Sequence, residues 1–189
     1  RFGAGRRGDA SLLAALLEPA GIAVAAVEAV PVPEDSSAGK LSSSGIRAAV
    51  VAGEVARATA MLGRWYSVEG VVVRGAGRGR ELGVRTANVD APAALLPRPG
   101  IYAGALGLPG ASELWPAAIS LGQNPTFVDD PTAPLVLEVH AIAQDLGDSL
   151  YGRTVEVAFA ARLRDEQRFP DVAALQAQIA RDIAAVHPA

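Results

Sequence analysis

Hydrophobic and polar positions change their period once along the chain, and that change predicts how it is organised. Before it, residues 9–18, DASLLAALLE, put Leu12, Leu13, Leu16 and Leu17 on one helical face behind Asp9 or Ser11 as a cap. The following IAVAAVEAV predicts a buried strand, so the opening reads as a short α/β piece. Pro31 to Ser44 is rich in turn formers and predicts a surface loop, with Ser44 placed to cap a helix that begins near Ile46. A second helix, about Glu54 to Leu62, stops at Gly63. From Tyr66 the period becomes that of strands: YSVEGVVV, IYAGALGL, LWPAAISLG, LVLEVHAI and TVEVAFAA, separated by turns rich in Gly, Pro and Asp. Strands at this spacing with no helix between them predict an antiparallel barrel or sandwich. After Pro170, Asp171 can cap a last helix whose Val172, Leu175, Ile179, Ile183 and Val186 form a stripe to pack on it. The seam between the two regions belongs near Gly63.

Composition narrows the chemistry. The 189 residues include no cysteine, which removes disulfides, thiolate metal sites and a catalytic thiol and leaves oxygen ligands or the two histidines for any metal. A net charge of −3 argues against a general nucleic-acid binder, because a phosphate backbone selects a basic surface. No apolar run reaches the length of a membrane-spanning helix and no signal-peptide pattern opens the chain, so a cytoplasmic protein with no membrane partner is expected. The chain opens at Arg1 rather than Met, which reads as an engineered chain, a processed chain or the tail of something longer. Its oligomeric state leaves no signature.

Within the strand region, RGAGRGRELGVRTAN (residues 74–88) is glycine-rich and basic. Glycine lets backbone amides turn toward an anion and arginine supplies forked donors, so the segment is either a phosphate-binding loop or a solvated hairpin loop. It lacks the Gly-Lys-Ser/Thr ending of a P-loop. Thr86 and Asn88, two apart, point the same way in an extended segment and can offer neutral oxygens to Mg²⁺; a turn-forming role is the alternative. In LVLEVHAI, Glu138 and His140 share the face opposite Leu135, Leu137 and Val139. A carboxylate at a barrel rim can take a proton from a hydroxyl, or can simply face solvent. LRDEQRF (residues 163–169) brings Arg164, Glu166 and Phe169 together, where a planar ligand could stack or a salt-bridged connector could form.

In this order RGAGRGRELGVRTAN, PGIYAGAL, GQNPTF, LEVH, SLYGRTVEV and LRDEQRF resemble the riboflavin kinase module of bacterial bifunctional riboflavin kinase/FAD synthetases, over about Leu62 to Ile183. RFGAGRRGD and SSSGIR resemble late segments of that family's FMN adenylyltransferase module. The resemblance implies an α+β chain: a six-stranded antiparallel Greek-key β-barrel with a C-terminal helix, residues 63–189, preceded by a truncated α/β nucleotidyltransferase-like segment, residues 1–62, that cannot make FAD. It implies transfer of the ATP γ-phosphate to the riboflavin 5′-hydroxyl to give FMN, with Mg²⁺ on the phosphates. Carried over by motif, Glu138 is the general base and Thr86 and Asn88 hold Mg²⁺ and phosphate. Gly75, Gly77, Arg78, Gly79 and Arg80 form the flap over ATP, and Arg164 and Glu166 serve the flavin side. Arg85 stands where the family usually has the proline that fixes this turn. Two other readings stay open: a fragment of the full bifunctional enzyme, or a non-catalytic flavin- or nucleotide-binding barrel, for which Arg85 is the motive.

Overall fold

The structure is a computed structural model that describes residues 2–26, 41–75, 79, 83–123, 135–142 and 148–186. Two compact units separate, one within residues 1–33 and the other within residues 34–189. In the first, Phe2 and Gly8 form an isolated antiparallel bridge. Helix α1 (Ala10–Leu17) comes next, and the Asp9 side chain accepts from the Leu12 amide at 3.0 Å, as the sequence predicts for its cap. None of its residues is buried. The expected strand does not form over its described part: residues 22–26 have no strand structure, and Ile22 is exposed. A strand needs a neighbour to satisfy its backbone groups, and none of the named strands falls in this unit. Residues 27–30 of that expected strand lie outside the described residues.

The second unit begins with α2 (Ser43–Ala52) and α3 (Val55–Leu62). Ser42, not Ser44, caps α2 by accepting from the Gly45 amide at 3.0 Å, because the helix starts earlier than Ile46. Gly63 ends α3 in the left-handed conformation typical of a helix stop, at the position the sequence predicts. The sequence placed a seam after these helices, yet α3 packs with the strands beyond it: Val55 joins the barrel core, and Gly53, between the two helices, lies against Tyr102 and Arg162.

Among the described residues, six strands close an antiparallel barrel: β1 (Tyr66–Val73), β2 (Ala87–Asp90), β3 (Gly100–Gly107), β4 (Leu114–Gln123), β5 (Leu135–Ala141) and β6 (Thr154–Arg164). Their order around the wall is β1-β2-β5-β4-β3-β6, so the connection from β2 to β3 skips two places, as in a Greek key. Alternation fills the interior: Val89, Ile119, Leu121, Leu137, Val139 and Phe159 point inward and are buried, with Tyr102 edge-on to Phe159 at 5.3 Å. Helix α4 (Val172–Ala184) closes the chain, capped by Asp171, whose side chain accepts from the Ala174 amide at 2.7 Å.

Candidate functional site

With Leu137, Val139 and Ala141 buried in the barrel, Glu138 and His140 must project from its outer face. The expected rim position is therefore corrected: Glu138 sits in the middle of β5 on the outer wall. Register then aligns one transverse row across five strands. Asn88 on β2 pairs with Glu138, Glu138 with Ser120 on β4, Ser120 with Ile101 on β3, and Ile101 with Arg164 on β6. Directly opposed residues share a face, so the ladder brings Asn88, Glu138 and Arg164 to one surface from positions far apart in sequence.

Over this row lies a cavity of about 400 Å³. Gly79, Thr86, Glu138, Arg164 and Glu166 all line it, together with His140 and Phe169, while Leu175, Ile179 and Ile183 of α4 supply an apolar side. The predicted stripe of α4 thus covers the site. Its hold on the wall is ionic as well as apolar. Arg164 donates from Nε to Asp182 Oδ1 at 3.0 Å and from Nη2 to Asp182 Oδ2 at 2.7 Å, while Gln178 donates to the same carboxylate at 2.8 Å. Asp182, 8% exposed, is the one buried charged residue among those described. Arg164 also lies 5.9 Å from the Phe169 ring centroid and donates to the Asp165 carbonyl. Its guanidinium therefore fixes the helix that covers the cavity as well as lining it.

Three glycines leave space against site residues by lacking a side chain. A Cβ at Gly122 would overlap the Glu166 carboxylate, so the bare backbone of β4 gives that carboxylate its place. A Cβ at Gly75 would overlap the Asn88 carboxamide, and one at Gly79 would strike the Val84 carbonyl and come within 3.1 Å of Thr86 Oγ1. Gly75 and Gly79 therefore lie close against the two predicted oxygen ligands, with the Val84 amide donating to the Gly79 carbonyl at 2.8 Å. Among the described residues no group of three or more His, Asp or Glu could hold a metal. The donors present are neutral oxygens beside two such cradles, which suits a hard cation that keeps waters and phosphate oxygens as its other ligands. Gly77, Arg78, Arg80 and the 124–127 part of GQNPTF lie outside the described residues, as does His187.

Burial pushes the Glu166 carboxyl above its ordinary range, partly offset by the Arg164 guanidinium. Next door, hydrogen bonding and charge from Arg162, with Arg98 adding to the field, hold the Asp165 carboxyl below the usual range. Arg162 bonds Asp165 at 2.6 Å and the Pro99 carbonyl at 2.8 Å, a surface clamp at the end of β6. The two adjacent carboxyls are thus pushed in opposite directions by their environments. Sequence reasoning passed over Ser120, Asp182 and Gln178, whose importance comes only from register and helix docking. It left His140 undecided; the ring lines the cavity, and its Nδ1 lies 2.7 Å from the Arg85 carbonyl.

The riboflavin kinase family model matches residues 62–188. The chain belongs to the riboflavin kinase family. It is 34% identical over 184 residues to the bifunctional riboflavin kinase/FMN adenylyltransferase of Pseudomonas fluorescens, covering 97% of this chain and 56% of that protein. To the same enzyme of Escherichia coli K12 it is 36% identical over 183 residues, covering 96% and 55%. The Bacillus subtilis enzyme is 33% identical over 144 residues, covering 76% and 44%. The chain thus spans about half the length of these curated relatives. A crystal structure described as a macrolide-efflux protein from Streptococcus pneumoniae matches with a TM-score of 0.70 and 31% identity, over 82% of this chain and 49% of that one. Efflux belongs to that protein's description alone; among the described residues no helix here is long and apolar enough to cross a membrane. The family match begins at Leu62, so family membership and compactness divide the chain differently: α2 and most of α3 precede the match but belong to the same compact unit as the barrel.

Proposed function

We propose that this chain is an ATP-dependent riboflavin kinase that transfers the γ-phosphate of ATP to the 5′-hydroxyl of riboflavin, giving FMN and ADP. The observation that carries the reading is the convergence of Thr86, Glu138, Arg164 and Glu166 on one cavity in a member of this family. Phosphoryl transfer asks mainly for positioning and charge neutralisation, with one group to orient and deprotonate the attacking hydroxyl. Glu138 fills that last role: its carboxylate, presented from a rigid strand, takes the proton of the 5′-hydroxyl as the new O–P bond forms and releases it to solvent. Thr86 and Asn88 hold Mg²⁺, which neutralises phosphate charge when bound. In this reading the segment Gly75 to Arg80 serves the ATP phosphates, since glycine admits the close backbone approach a phosphate needs. Arg164, Glu166 and Phe169 form the flavin side, where an aromatic ring and hydrogen-bonding side chains suit a planar heterocycle.

Residues 1–62 correspond in this reading to the end of an FMN adenylyltransferase-like module, and residues 63–189 to the kinase. Incubating the 189-residue polypeptide with riboflavin, ATP and Mg²⁺ and separating the flavins by chromatography tests both assignments. FMN without FAD is expected. Flavin binding with no FMN would replace the kinase with a non-catalytic flavin-binding barrel, and FAD formation would overturn the assignment of residues 1–62.

A further inference from the structure

The outer wall treats the two sides of β5 differently. Toward β4 the ladder runs past the end of β5, with Ala118 opposite His140, Ala117 opposite Ala141, and the Ile142 amide donating to the Pro116 carbonyl at 2.7 Å. Toward β2 it stops at Ala87 opposite Val139. Continued for one more residue, that register would set Thr86 opposite His140. Where the backbone ladder ends, a side chain takes over: His140 Nδ1 lies 2.7 Å from the carbonyl of Arg85, the residue before Thr86. A carbonyl only accepts, so Nδ1 carries the proton and donates. Thr86 is therefore held on both sides, by β2 pairing at Ala87 and by the imidazole at Arg85. The small Ala118 on the neighbouring strand leaves room for the ring, and the ring itself faces the cavity.

We propose that His140 is a positioning residue that ties the Thr86-bearing segment to the strand carrying Glu138, so that the oxygen ligand and the base keep a fixed separation. The coupling is short. Glu138 and His140 are two apart on the same face of one strand, and a single hydrogen bond joins the second to the peptide that aims Thr86. Arginine at position 85 lacks the ring that would set its own backbone, and this tether supplies a constraint through its carbonyl instead. Supporting groups of this kind typically change metal affinity or activity by 10- to 100-fold when removed.

The structural half of the inference needs no substrate. In His140→Ala, amide hydrogen exchange at Thr86 and Ala87 is expected to quicken by roughly 10-fold or more, with Val155 and Val157 of β6 unchanged. His140→Asn, whose Nδ2 lies about where Nδ1 was, is expected to restore slow exchange. Unchanged exchange at Thr86 and Ala87, equal quickening at β6, or no rescue by asparagine would each overturn the tether. The second half rests on the kinase reading. The Mg²⁺ concentration for half-maximal FMN formation is expected to rise roughly 10-fold in His140→Ala while the riboflavin KM holds. An unmoved Mg²⁺ requirement, or a change confined to the riboflavin KM, would overturn the positioning of Thr86. A wild-type protein that makes no FMN would defeat the kinase reading instead, and the exchange measurements would still decide the tether.

Discussion

The two faces of β2, β5 and β4 are built from alternate residues of the same strands, and they obey different rules. Inward, Val89, Leu137, Val139, Ile119 and Leu121 are all buried and apolar, so each contributes through packing. Outward, Asn88, Glu138, His140 and Ser120 are polar and partly exposed, and each is placed by register rather than by packing of its own. Precision on the outer face is therefore borrowed from the rigidity of the inner one. A rigid sheet is a better platform for a reacting group than a loop, because neighbouring strands fix the direction of every side chain.

Substitutions on either face should separate these roles. Glu138→Gln keeps the shape but removes the proposed base, and turnover is expected to fall by roughly 10²- to 10⁴-fold with the melting temperature and the KM for ATP nearly unchanged. One position along the strand, Leu137→Ala should do the reverse: a loss of about 2–5 kcal/mol in chemical unfolding, with turnover at low temperature largely kept by the fraction that stays folded. Asp182→Ala tests the cover over the outer face, since it leaves the Arg164 side chain, 16% exposed, without its carboxylate partner. About 3 kcal/mol of stability should go, and riboflavin affinity with it, because α4 lines the side of the cavity proposed for the flavin.

The smallest effect concerns pH. Glu166 has its folded pKa raised by burial, so the folded protein binds its proton more tightly than the unfolded chain does. Its contribution is favourable at low pH and is lost as pH rises from the ordinary glutamate value through the raised one. Asp165 has the opposite sign: its lowered folded pKa gives stability above the ordinary aspartate value that is lost as pH falls through the lowered one. Glu166→Gln should therefore flatten the decline of stability on the alkaline side of that window and leave the acid loss due to Asp165 in place. Urea titrations between about pH 3 and pH 7 read both limbs.

Much of this was legible from residue order, and the parts that were not have physical reasons. The alternation of LVLEVHAI put Glu138 and His140 opposite the core side before any fold was known, and Asp9 and Asp171 announced two helix starts. Yet α1 and α4, capped alike, differ in outcome: α4 lays its stripe along the cavity and α1 buries nothing, because a cap is local and a partner surface is not. β2 escaped notice since four residues are too few to show a period, and its TAN segment already read as a ligand loop. The Arg164–Asp182 pair joins residues from β6 and α4, and the bond from His140 to Arg85 spans 55 residues, so neither leaves a trace in local spacing.

The most direct test of the central claim measures Glu138→Gln and Leu137→Ala side by side, recording FMN formation and urea unfolding for each. The account predicts a crossed result: turnover lost with stability kept for the outward residue, stability lost with turnover kept for the inward one. A Glu138→Gln protein that still makes FMN at the wild-type rate would contradict it.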